Sequence, residues 1–492
     1  MDRRTYLKAV GATAVIGSIP QGVANAQTER DPRAAYDPNA YLTNAQLTRR
    51  LKLLNQESDL ITLQQIGQSA ELNDPLWEVN IGEGKTNVHL ITQIHGDEPA
   101  GTEAVLQMLQ HLSVSASDEI ERILENISLT IVPRVNPDGA MFGQDVDGDG
   151  EKERITRRTN TQPWSSSDSL HEPYYHYTPS DASNGYDLNR DFNIRPDFEP
   201  NSDSKAEWWE EDEDLWQLNL PYEGHTLSAS GLRLSPEVAA VTKSFLRADP
   251  DFAITHHHQG IPAVPDTEPP EPSIMSVMAP FGPAFKKQAP GYEASKPIAD
   301  YVNPFLDEST SRRSLRLNLL VAERLANTTG PWEVFDSVTR YGYSTLWGSY
   351  LDTLCPQTNA AGILYEVSGN SSSYGSRAYG LKVEASRIGF LESLALIASD
   401  PTLSAVNAEN YFDIPLKGDS IYDVEETDDT DDAYQGPGDD DDGNDIDDDG
   451  DGHIDEDDED EDDDDDSDGD GIDGDGDGAI DEDSDLQYFS RS

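Results

Sequence analysis

The chain is 492 residues long and carries 96 acidic side chains against 34 Lys and Arg, a formal charge of −62, with a single cysteine. That length holds one large α/β domain or two ordinary ones, and one cysteine excludes an internal disulfide framework. The charge excludes nucleic acid and anionic membrane surfaces as partners, because both require clustered Lys and Arg. Residues 419–492 hold 38 of the acids and one base, which leaves the remainder at −25. An acidic body of this kind suits high salt, where screening relieves self-repulsion, and points to a halophilic source.

Residues 1–26 read as a secretory signal. Arg3-Arg4 precede a mild apolar run from Ala9 to Ile19, and Val23-Ala24-Asn25-Ala26 is a small-x-small cleavage pattern. The paired arginines resemble the twin-arginine type, so the mature protein is expected outside the cell, exported folded. No later segment offers the roughly 18 uninterrupted apolar residues of a membrane span. Residues 27–40 read as a lead-in, 41–400 as one domain, 401–430 as a linker and 431–492 as an acidic Asp/Gly-rich tail.

Within the domain, Leu47, Leu51 and Leu54 place a helix over Thr43 to Leu54. Strands are expected over Ile61 to Ile66, Leu76 to Ile81 and Val88 to Ile94, where His89 is a polar exception that needs a partner. After the turn at His95, Pro99 sits near a first helical position, and Val105, Met108, Leu109 and Leu112 follow at helical spacing. A helix from Asp118 to Leu124 and a strand from Leu129 to Pro133 lead into the turn Asn136-Pro137-Asp138-Gly139. Gln144 to Asn184 reads as a long polar loop, and Arg195 to Pro221, with Trp208, Trp209 and Trp216, as a surface excursion. Helices over Pro236 to Arg247, Ser311 to Asn327 and Val383 to Ser399, with strands over Asp251 to His256 and Gly362 to Val367, complete the alternation. The expectation is an α/β fold: a single-domain mixed β-sheet flanked by helices, followed by an acidic tail too poor in apolar residues to bury a core. Cys355, before Pro356, reads as a buried small residue rather than a nucleophile.

The tail repeats Asp447-x-Asp449-Gly450-Asp451-Gly452-His453-Ile454-Asp455 as Asp473-x-Asp475-Gly476-Asp477-Gly478-Ala479-Ile480-Asp481. Acids at positions 1, 3, 5 and 9 with Gly at 6 resemble a Ca2+ loop, although position 12 is Asp458 in the first copy and Ser484 in the second. Calcium binding and simple solvation both stay open for this tail. A shorter version, Asp145-x-Asp147-Gly148-Asp149-Gly150, lies inside the domain.

The chemistry centres on His95-x-x-Glu98, which stands where a strand end meets a helix start. Open α/β sheets place ligand sites at such ends, and imidazole nitrogen and carboxylate oxygen are both zinc ligands. A catalytic zinc requires a third protein ligand. The run His256-His257-His258 at another strand end supplies candidates, and spacing alone leaves His256 and His257 both open.

With these residues the chain resembles a zinc metallocarboxypeptidase of the carboxypeptidase A type. The resemblance rests on His95-x-x-Glu98, Pro133-x-x-Asn136-Pro137-Asp138-Gly139, Arg157-Arg158-Thr159, Asp187-Leu188-Asn189-Arg190-Asp191-Phe192, the His256–His258 run, Gly348-Ser349 and Tyr365-Glu366, in that order. It implies Zn2+ held by His95, Glu98 and a downstream His; Thr255 in the polar position two before points to His257, with His256 as the alternative. It further implies Glu366 as general base toward a zinc-bound water and Arg157 as the oxyanion partner, with Arg154 and Arg158 close by. Asn189 and Arg190 would take the substrate's terminal carboxylate, since a guanidinium fork matches it. Tyr343 would be the mobile tyrosine, with Tyr341 as the alternative. The implied activity is a secreted, monomeric carboxypeptidase acting on peptide or protein C-termini, leaning toward apolar or aromatic terminal residues. The alternative is a related zinc amidohydrolase that deacylates amino acids or cleaves cell-wall peptides.

Overall fold

The computed structural model describes residues 38–146, 148, 150–162, 185, 187–194, 220–227, 234–267, 270–282, 285, 305–327, 337–341, 348–368 and 376–418. The expected signal segment 1–26, the tail from 419, the tryptophans of the surface excursion and most of the polar loop before Asp187 lie outside these residues. The chain divides into Met1–Asp455 and Glu456–Ser492, and the second unit has no described residue.

Eight strands form one mixed sheet: β1 (Ile61–Gln68), β2 (Pro75–Ile81), β3 (Thr86–Thr92), β4 (Ile127–Val132), β5 (Phe252–Gln259), β6 (Met275–Met278), β7 (Val338–Arg340) and β8 (Ala361–Ser368). Their order across the sheet is β1-β2-β4-β3-β5-β8-β6-β7. The central four, β4-β3-β5-β8, run parallel, and β1, β2 and β6 add antiparallel pairs outside them. Among the described residues, six longer helices cover the sheet: α1 (Asn44–Glu57), α2 (Ala100–Val114), α3 (Asp118–Asn126), α4 (Pro236–Ala248), α5 (Glu308–Ala326) and α6 (Ser376–Ser399). This is the mixed sheet flanked by helices that the alternation of elements implies.

Strand periodicity sorts the core into two layers. Val88, Leu90, Ile254, Ile363 and Tyr365 face α2, α5 and α6 in one cluster, while Ile91, Ala253 and Leu364 join Val238, Val241 and Phe245 of α4 in the other. Each parallel strand is therefore apolar on both faces, as expected where helices cover both sides. α1 starts at a reciprocal capping box between Thr43 and Gln46, the kind of cap worth about 1 kcal/mol. His89 projects into the α4 layer, where its two ring nitrogens meet Tyr350 Oη at 2.6 Å and Ser244 Oγ at 2.9 Å. Burial pushes its pKa down to about 3, so it stays neutral.

Two local readings differ from the sequence expectation. The short strands β6 and β7 carry too few residues for a period and were not anticipated. Residues from 401, expected as a linker, begin instead with packed chain: Leu403, Ala408, Tyr411 and Ile414 are buried in the core, and Leu416 bridges to Arg340 of β7. Those apolar residues are scattered without helical or strand periodicity, so composition alone did not reveal them. Cys355 is buried, as expected.

Glu237, in the first turn of α4, is wholly buried and accepts hydrogen bonds from the Ala70 N–H at 2.9 Å and from Asn160 Nδ2 at 3.4 Å. Burial, with Asp138 nearby, pushes its carboxyl up from 4.5 to about 7. A carboxyl raised on folding costs stability as pH climbs from its unfolded value through its folded one. Glu237→Gln should therefore unfold like the parent below about pH 4.5 and be more stable above pH 7, by up to about 3 kcal/mol. Denaturant titrations at both pH values check this; equal stability above pH 7 would contradict it.

Candidate metal centre

Because β4, β3, β5 and β8 are parallel, their carboxyl ends share one edge of the sheet. The chain leaves β3 toward β4 on one side, while β5 pairs on the other, so the strand order reverses between β3 and β5. Ligand sites form in the crevice at such a switch point. β3 stops at Thr92, Gln93 turns the backbone at φ 52°, and α2 begins at Ala100, which leaves His95 and Glu98 in the turn between. Gly96 lies so close to the Asn136–Gly139 turn that a Cβ there would stand 2.2 Å from the Gly139 carbonyl carbon.

Three donors converge in the crevice. His95 Nδ1 is 2.6 Å from Glu98 Oε1, His257 Nδ1 is 3.1 Å from Glu98 Oε2, and the two Nδ1 atoms are 3.2 Å apart. All three residues are buried, and one donor atom from each lies within 4.8 Å of the others. Burial alone would raise the Glu98 carboxyl, but the two imidazoles outweigh it and hold the group well below the usual carboxylate range. Two imidazole lone pairs and a carboxylate facing one point match the donor set of a divalent cation, and two nitrogens plus one oxygen suit zinc.

Register divides the histidine run. His257 follows the parity of Ala253 and Thr255 and turns to Glu98, while His256 turns to the other face and meets Ser386 Oγ of α6 at 2.7 Å. His258 Nε2 accepts the Ala100 N–H at 3.3 Å, at the start of α2. Glu366 lies directly across from His257 in the parallel β5–β8 pair, so both side chains leave the same face one strand spacing apart.

Asp187 joins the trio to the next group. It is fully buried; Oδ1 stands 3.3 Å from His95 Nε2, and Oδ2 pairs with Arg158 Nε at 3.0 Å. Oδ1 also accepts the Asn189 N–H at 2.8 Å, which starts the 3-10 turn Leu188–Arg190. Burial would raise the Asp187 carboxyl; Arg158, His95 and Arg190 instead hold it far down, so it is an anion. Asn189 and Arg190 are both buried on this turn, and Asn189 Oδ1 accepts the Tyr350 N–H at 3.1 Å.

Arg157 and Arg158 make different contacts. The Arg157 guanidinium lies 4.8 Å over the Phe142 ring, and Nε donates to Thr159 Oγ1 at 2.8 Å, while its neighbour Arg158 takes the place beside Asp187. Spacing in the sequence does not distinguish two adjacent arginines. Asp187 opens the Asp187–Phe192 motif, and its signal in the sequence is its position two residues before Asn189. Tyr343 lies outside the described residues, and its alternative, Tyr341, is buried with the Lys417 ammonium 4.2 Å above its ring.

A carboxylate behind a metal-bound imidazole fixes the tautomer and raises ligand basicity. Asp187→Asn should weaken zinc binding by about 10- to 100-fold, measured by chelator competition; unchanged affinity would remove Asp187 from this role.

Residues 47–261 match the family model Peptidase_M14, zinc carboxypeptidase. The chain is 28% identical over 200 residues to carboxypeptidase E of Caenorhabditis elegans, covering 38% of this chain and 37% of that protein. It is 32% identical over 108 residues to carboxypeptidase SOL1 of Arabidopsis thaliana, covering 20% of this chain and 22% of that one. The aligned part thus spans little more than a third of these relatives at most. A metallo-carboxypeptidase structure from Pseudomonas aeruginosa aligns with TM-score 0.42 and 16% identity over 74% of this chain and 70% of that one. Over residues 47–261, where His95, Glu98, Asp187 and His257 all fall, the chain is similar to the zinc carboxypeptidases.

Proposed function

We propose that the chain is an exported zinc carboxypeptidase that removes C-terminal residues from peptides. The observation that carries this reading is the buried His95–Glu98–His257 trio, with Glu366 in register beside His257 and Asp187 linking the trio to Asn189 and Arg190. His95, Glu98 and His257 would hold the metal, and bound zinc supplies a Lewis acid and lowers the pKa of water.

The rest falls to the protein. Glu366 takes the proton of the attacking water and returns it to the leaving amine. Arg190 and Asn189 receive the terminal carboxylate, which confines cleavage to the chain end. Arg158, rather than Arg157, is the arginine we assign to the developing oxyanion, because it stands beside Asp187 next to the trio. Asp187 holds His95 and the Asn189 turn in one frame, so the metal and carboxylate subsites keep a fixed separation. Export rests on the paired arginines and cleavage pattern of residues 1–26, and no helix among the described residues is long and apolar enough to cross a membrane. The acidic body and tail fit a salt-rich medium, and the Asp/Gly repeat is a candidate Ca2+ segment.

Glu366→Gln should lower kcat by about 10²- to 10⁴-fold with zinc content unchanged; near-full activity would remove the assigned base. Arg190→Ala should cost about 1.5–3 kcal/mol, on the order of 10- to 100-fold in kcat/KM, on peptides with a free C-terminus and much less on amidated ones. Faster turnover of N-acyl amino acids than of blocked dipeptides would favour the amidohydrolase alternative.

A further inference from the structure

Gln93 is a non-glycine residue in the left-handed region, at φ 52°, and is wholly buried two positions before His95. Such a backbone costs roughly 1–2 kcal/mol for an ordinary L residue and persists only where its surroundings over-determine it. Here they do. Gln93 Nε2 donates to the Gly96 carbonyl at 2.7 Å, closing a ring around His95. Its Oε1 accepts from Arg134 Nε at 2.7 Å and faces the Thr102 hydroxyl of α2 at 2.7 Å. Its own carbonyl accepts the Asn136 N–H at 3.0 Å. Arg134 is buried and carries the link outward, donating to Asn44 Oδ1 at 2.7 Å and to the Leu42 carbonyl at 2.8 Å. Gln93 and Arg134 together therefore tie the end of β3, the first turn of α2, the chain just after β4 and the start of α1 to the peptide between His95 and Glu98.

We propose that Gln93, braced by Arg134, is a positioning residue for the metal centre: its amide holds the Gly96 carbonyl so that His95 Nδ1 and Glu98 converge before any ion arrives. An i, i+3 pair in a turn has many relative orientations, and only a fixed peptide between the two lets both donors face one point. The inference rests on the metal reading above and concerns residues that touch no substrate, so Gln93 acts through His95 and Glu98.

Two variants test it. Gln93→Gly keeps the left-handed backbone at no steric cost and deletes the side chain. Gln93→Glu keeps the shape and the acceptors for Arg134 and Thr102 but removes the donor to Gly96. Zinc affinity is measured by chelator competition, alongside the visible spectrum of the cobalt-substituted protein and the melting temperature of the metal-free form. Both variants should bind zinc about 10- to 100-fold more weakly than the parent, the range for lost support behind metal ligands, and should show an altered cobalt spectrum. Parent-like zinc affinity and cobalt spectrum in either folded variant, whatever the change in melting temperature, would overturn the proposal. If Gln93→Gly does not fold, Gln93→Glu decides alone. A parent protein that binds no zinc would instead overturn the metal reading itself.

Discussion

Two imidazoles and a carboxylate are held in mutual contact at the end of β3 and β5, away from water. Their donor atoms converge, with the two Nδ1 atoms 3.2 Å apart, an arrangement that suits a shared divalent cation. Much of the surrounding architecture supports this cluster. Asp187 balances His95 from behind, Arg158 balances Asp187, and the left-handed turn at Gln93 brings His95 and Glu98 to the same point.

The sheet sets where this can happen. Four parallel strands deliver their carboxyl ends to one edge, and the reversal of order between β3 and β5 opens a crevice there. β3 contributes His95 and Glu98, β5 contributes His257, and β8 contributes Glu366 one strand farther along. The Asn136–Gly139 turn after β4 then packs on Gly96 and accepts the segment that carries Arg158, with the Gly96 N–H bonded to the Arg158 carbonyl at 3.2 Å. Candidate ligands far apart in sequence thus meet through strand register and one tight turn.

Much of this was legible in the sequence, for physical reasons. Apolar runs with helical or two-residue periodicity marked α1, α2 and the four central strands, because each buries a continuous face. His95 and Glu98 announced themselves by lying between a strand end and a proline near a helix start. Other features had no local signal. Whether His256 or His257 turns toward Glu98 depends on which face of β5 looks at α4, a property of the whole sheet. Arg157 and Arg158 are equivalent by spacing, and only the docking of their segment on the Asn136 turn separates them. Gln93 looks like an ordinary strand residue; its left-handed backbone exists because Arg134, Thr102 and Gly96 surround it.

The proposed zinc site is the point shared by His95, Glu98 and His257. X-ray absorption at the zinc edge, with metal analysis of the purified protein in high salt, tests it most directly. The expected result is one zinc per chain in a shell of nitrogen and oxygen ligands at about 2.0–2.2 Å with no sulfur neighbour. A protein that holds no stoichiometric zinc, or a shell that contains sulfur, would contradict it.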